Sequence, residues 1–126
     1  MAKWVHADVL DGGLSAIKTG ASKMLLISAY AAADSYATVT GNQLAEVAMV
    51  SGDYTLSSSG SNRVLTTAAG KSATASASSA TPNLHIAFTD GASKVLWVTD
   101  ETSDQAITSG NTVNFPQLTY TSNQPT

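Results

Sequence analysis

Leu10, Leu14 and Ile17 recur at i, i+4 and i+7 near the start of the chain, which is one apolar stripe of a helix. Asp8 lies toward the positive end of its dipole and Lys18 toward the negative end. Thr19-Gly20 closes the segment. Gly12 and Gly13 each cost about 1 kcal/mol relative to Ala inside a helix, so a helix this short does not hold alone and must pack against something. From Lys23 onward the period changes. Runs of four to eight residues bounded by turn signals read as strands at 23–29, 43–50, 62–68, 72–78, 84–89, 94–99 and about 112–121.

The clearest of these is a hairpin. Leu84, Ile86 and Phe88 alternate with polar or small residues, the loop Asp90-Gly91-Ala92-Ser93 follows, and Lys94 opens an apolar strand. Val95 to Val98 are apolar without a break, which predicts a strand covered on both faces with Trp97 as a core anchor. Residues 43–50 contain good helix formers and fit either state; the turn signal Ser51-Gly52-Asp53 favours strand. Residues 72–78 are low in complexity and compatible with a linker, but the strict alternation of Ala with Ser or Thr favours a strand with close neighbours. Lys23-Met24-Leu25-Leu26-Ile27, followed by Ala-rich sequence, has the look of a signal peptide. It starts too far from Met1 and is shorter than the roughly 20 apolar residues of a membrane span, so it reads as a buried strand.

Many short strands, one small helix and no helical crossovers indicate a mainly β fold: an antiparallel β-sandwich, jelly-roll-like, with one short N-terminal helix. The whole of 1–126 reads as one domain with a short N-terminal arm (1–6) and a C-terminal tail (about 121–126). Ala, Ser and Thr supply 53 of the 126 residues, which suits closely stacked strands. A net charge of -3 with only 12% charged residues leaves no basic stripe for a phosphate backbone, so neither nucleic acid nor membrane is an expected partner. Without cysteine, stability rests on packing or assembly.

Little in the chain suggests catalysis, and no enzyme activity or cofactor is expected. His6 with Asp8 or Asp11 lacks a nucleophile context, and His85 sits between core positions, pointing to the opposite face of its strand. Asp100-Glu101-Thr102-Ser103-Asp104 gathers three carboxylates, yet lacks the ordered spacing of a calcium loop and reads as a solvated turn.

Several segments carry a resemblance that spans most of the chain: Trp4-Val5-His6 with Asp8-Val9-Leu10-Asp11, Ser51-Gly52-Asp53-Tyr54-Thr55-Leu56, Arg63-Val64-Leu65-Thr66, the hairpin 84–99, and residues 107–116. In these it resembles small proteins encoded beside the capsid genes of tailed bacteriophages, some of which are capsid decoration, or cement, proteins. The resemblance implies a jelly-roll-like protein made in the host cytoplasm that forms homo-oligomers on the outer capsid surface and ties neighbouring subunits of the major capsid protein together. A homodimer is expected, with a trimer as the alternative, because the Gly-weakened helix and apolar N-terminus need a partner surface. Trp4 and Val5 at one end and Tyr120 and Gln124 at the other are the expected capsid or subunit contacts. The rival reading is a tail or fibre accessory domain or a carbohydrate-binding sandwich, with exposed aromatics lining a groove.

Overall fold

A computed structural model describes residues 3–80, 83–101 and 106–125. The fold is mainly β and sandwich-like, with antiparallel sheets and one long helix. Helix α1 (Ala7–Gly20) is followed by strand β1 (Lys23–Ile27), the short helix α2 (Tyr36–Gly41) and β2 (Gln43–Ala48). A single 3-10 turn at Ser51–Asp53 leads into β3 (Tyr54–Ser59), β4 (Asn62–Thr67) and β5 (Ser72–Thr74). The hairpin strands β6 (His85–Thr89) and β7 (Val95–Asp100) precede β8 (Thr112–Asn114) and β9 (Thr119–Ser122).

The strands form a four-stranded sheet ordered β2-β1-β6-β7, a three-stranded sheet β3-β4-β9 and a two-stranded ribbon β5-β8. One face of the large sheet supplies Met24, Leu26, Ile86 and Phe88 to the main core, where they meet Tyr54 and Leu65 of the second sheet and Leu14 and Ile17 of α1. The other face buries Leu25, Ile27 and Ala87 beneath Val39 of α2. β1 is therefore covered on both sides, and its unbroken Met24-Leu25-Leu26-Ile27 run is that of a central buried strand.

α1 finds its packing surface within its own chain. Leu14 and Ile17 are buried, Arg63 Nε donates to Asp11 Oδ1 at 2.8 Å, and Lys18 Nζ donates to the carbonyls of Ser51 and Tyr54 at 2.8 and 2.6 Å. The Leu10/Leu14/Ile17 stripe is thus met within the chain, while Val9 on the same helix stays exposed. His6 caps the helix, its Nδ1 accepting from the Asp8 N–H at 3.1 Å and lying 3.6 Å from Asp8 Oδ2.

Tertiary structure alters several expectations. Tyr54–Ser59, which is not among the expected strands, is a full strand because β4 supplies the ladder from Tyr54↔Thr67 to Ser59↔Asn62, closed by Gly60 at φ +61°. The expected strand at 112–121 is two strands in different sheets: β8 pairs with β5 and β9 with β4. Pro116 lacks the N–H to continue a ladder, and Phe115 is buried where the chain passes between sheets. Of 72–78 only 72–74 is strand, since beyond it the backbone bonds go instead to Asn111, Leu44 and Ile107. α2, capped by Ser35 Oγ accepting from the Thr38 N–H, was not foreseen.

The hairpin forms as expected. Asp90 Oδ1 accepts from the N–H groups of Ala92, Ser93 and Lys94 at 2.8–2.9 Å. Gly91 takes φ +77°, and a Cβ there would lie 3.1 Å from Ser22 Oγ. β7 does pack on both faces, Leu96 and Trp97 against the main core and Val95 and Val98 against the second cluster, but only in part. It is the edge of its sheet, half-buried from Val95 to Thr99. Trp97 is accordingly a half-buried flank of the core, stacked on Phe88 with ring centroids 4.6 Å apart.

Candidate functional site

Where α1 crosses the open side of the sandwich, β7 and β9 lie beneath it as the edge strands of their two sheets. A bulge opposite Phe88/Thr89 adds one residue to β7, and both Leu96 and Trp97 pack on the side of the main core and the helix. Tyr120 of β9 meets Trp97 edge-on, with ring centroids 5.5 Å apart. Between helix and strands is a cleft of about 260 Å³ whose walls include Val9, Leu10, Gly13, Leu96, Tyr120 and Ser122. Among the described residues no charged side chain lines it.

The chain ends meet beside this cleft. The Val5 N–H donates to Gln124 Oε1 at 3.0 Å, and Gln124 Nε2 donates to the carbonyls of Val5 and Ser61 at 2.9 and 3.1 Å. The Gln124 N–H donates to Asn62 Oδ1 at 2.8 Å. One amide side chain thus joins the N-terminal segment, the β3–β4 turn and the C-terminal segment. Val5 and Gln124 are half-buried members of this clasp.

Trp4, next to the clasp, is 67% exposed, Val9 66% and Tyr120 43%. Among the described residues these are three of the four large hydrophobic residues left exposed; the fourth, Val50, precedes the 3-10 turn. Of these, Val9 and Tyr120 share the cleft, and contiguous exposed apolar surface is what marks interaction sites. All four residues expected from the sequence fall on or beside this region. Trp4 and Tyr120 offer side-chain surface, while Val5 and Gln124 set the backbone that presents it. Val9 and Leu96 were not foreseen. Val9 lies off the Leu10/Leu14/Ile17 stripe, a signal that was available; Leu96 depends on the bulge and could not be read.

The titratable groups elsewhere hold structure. His85 Nε2 lies 3.2 Å from Asp100 Oδ1, its cross-strand neighbour, while Nδ1 is buried without a hydrogen-bond partner and the ring tilts against Tyr30 at 6.2 Å. His85 does point away from the main core, as alternation requires. The Asp53 carboxylate accepts from the Val50 N–H at 2.8 Å and pairs with Lys71 at 2.9 Å, and both contacts hold its pKa below the usual value. Burial, and then the charge of Asp53, push the Tyr54 phenol up, and its hydroxyl donates to the Ala21 carbonyl at 2.8 Å.

The acidic run at 100–104 is not uniformly solvated: the Asp100 side chain is exposed, but Glu101 is buried, and Thr102, Ser103 and Asp104 lie outside the described residues. Among the described residues no group of acidic or imidazole side chains has metal-binding geometry, and no helix is long and apolar enough to cross a membrane.

No family model, no curated protein and no solved structure matches this chain.

Proposed function

We propose that this chain is a structural protein of a tailed-phage virion that binds the outer capsid surface and ties neighbouring copies of the major capsid protein together. The observation that carries the reading is the cleft between α1, β7 and β9, lined among others by the exposed Val9 and Tyr120, together with an exposed Trp4 in the N-terminal segment that the Gln124 clasp holds. Aromatic anchors around a desolvated pocket are the usual energetic centre of a protein interface. The segments similar to capsid-gene neighbours include both Trp4 and the hairpin that carries Leu96. A ligand spanning two subunits gains avidity of about 10² to 10⁴ when the spacing of its sites is right, and loses it otherwise.

The test is co-sedimentation of the purified protein with expanded capsids and with compact procapsids, followed by heating decorated and bare particles. Binding to expanded shells, weakened by Val9→Ser or Tyr120→Ser, supports the reading. Absence from both forms, or decorated shells no more heat-resistant than bare ones, overturns it. The same exposed aromatics would serve a carbohydrate-binding module, which a glycan array separates directly.

A further inference from the structure

β7 is an open apolar edge. Among the described residues its backbone is hydrogen-bonded to β6 alone, so the outward half of its N–H and C=O groups is left for another strand. The other edges are less inviting. β2 already accepts a bond at Leu44 from the Ser76 N–H, β3 ends in three exposed serines, and β9 has four residues. β7 has six, Val-Leu-Trp-Val-Thr-Asp, half-buried through Thr99. Exposed edges of this kind are normally protected by inward charges or proline, or covered. Here the bulge disturbs only the start of the strand, and no charge interrupts Val95 to Val98.

The charges lie at the ends. Lys94, just before the strand, and Asp100, its last residue, are both exposed. This polarity selects the occupant. An antiparallel second copy of β7 sets the Lys94 end of each chain beside the Asp100 end of the other, with the apolar centres side by side. A parallel copy would place like charges together. Only the antiparallel arrangement closes by a two-fold axis, which ends association at two chains.

We propose that two copies of this chain associate through antiparallel pairing of their β7 strands, joining the two four-stranded sheets into one of eight. The pairing stands independently of the capsid reading. It does have a consequence for that reading: Leu96 lines the cleft, so two clefts would flank the two-fold axis of one dimer.

The experiment is light scattering across a dilution series, with hydrogen exchange of 95–100 at high and low concentration. Wild type should be a dimer at micromolar concentration, with amides of β7 gaining protection as the dimer forms. Lys94→Glu places acid against acid at both ends and should raise the dissociation constant about tenfold or more. The double variant Lys94→Glu/Asp100→Lys should restore it. Both positions are exposed, Asp100→Lys also removes the 3.2 Å contact of Asp100 with His85, and unchanged circular dichroism and melting would confirm that the fold persists. A monomer at all concentrations overturns the proposal, as does a dimer indifferent to both variants or one whose β7 amides exchange freely. Because capsid co-sedimentation is a separate readout, loss of pairing and loss of capsid binding are distinguishable.

Discussion

Replacing Gly12 or Gly13 by alanine separates the stability of α1 from the use of its surface. Both glycines lie in the 14-residue helix, neither has a positive φ, and a Cβ built on either meets nothing within 4 Å. The intrinsic gain of Gly→Ala in a helix interior, about 0.5 to 1 kcal/mol, is therefore not offset by a clash. Part of it comes from the unfolded chain, which has fewer conformations to lose. For a domain of this size the corresponding rise in Tm is about 2 to 4 °C per substitution. Thermal and urea unfolding followed by circular dichroism measure this. The functional consequence differs between the sites. Gly13 lines the cleft and Gly12 does not, so Gly13→Ala should narrow the cleft and weaken partner binding while Gly12→Ala leaves it unchanged. A Gly12→Ala variant less stable than wild type would refute the assignment of this segment as a packed helix. Equal binding by both variants, each stabilised, would show that the cleft floor is not part of the contact.

Other outcomes follow from individual contacts. Trp97→Ala should cost about 2 kcal/mol, below the roughly 3 to 5 kcal/mol of a fully buried aromatic, because the ring is only half covered; a loss at the upper end in urea titrations would mean that β7 is covered in solution. Gln124→Ala removes three hydrogen bonds of the clasp and should lower stability by about 1 to 2 kcal/mol and speed proteolysis near Trp4, which limited digestion with mass spectrometry would show. Asp90, held down to about 2 by the N–H groups of Lys94, Ser93 and Ala92, binds its proton more weakly folded than unfolded. Its contribution is present above the ordinary carboxylate value of 3.8 and disappears as pH falls through about 2. The stability difference between wild type and Asp90→Ala should therefore shrink over that window in urea titrations, and a difference independent of pH would contradict the assignment.

Local pattern was enough for those parts of the fold whose partners are near in sequence or whose periodicity is strong. The spacing of Leu10, Leu14 and Ile17 defines the buried stripe of α1 however the rest folds. The uninterrupted Met24-Leu25-Leu26-Ile27 run reads as a buried strand, and that is what it forms. Asp90-Gly91 marked the hairpin because a side chain that accepts three backbone N–H groups and a residue at positive φ are local requirements. Ladder partners far along the chain decided the remainder. β3 is a strand through pairing with β4 despite its serines, and residues 112–122 divide between two sheets because each half meets a different neighbour. β7 has the composition of a central strand, and sequence alone reads it as one; its position at the edge is a property of strand order, which no local pattern encodes. The same holds for the surface. Trp4 and Tyr120 stand out as aromatic residues near the chain ends, but their convergence with Val9 and Leu96 requires the Gln124 clasp and the β7 bulge. Both arise from contacts between distant segments, and they exist only once the two sheets have closed around α1.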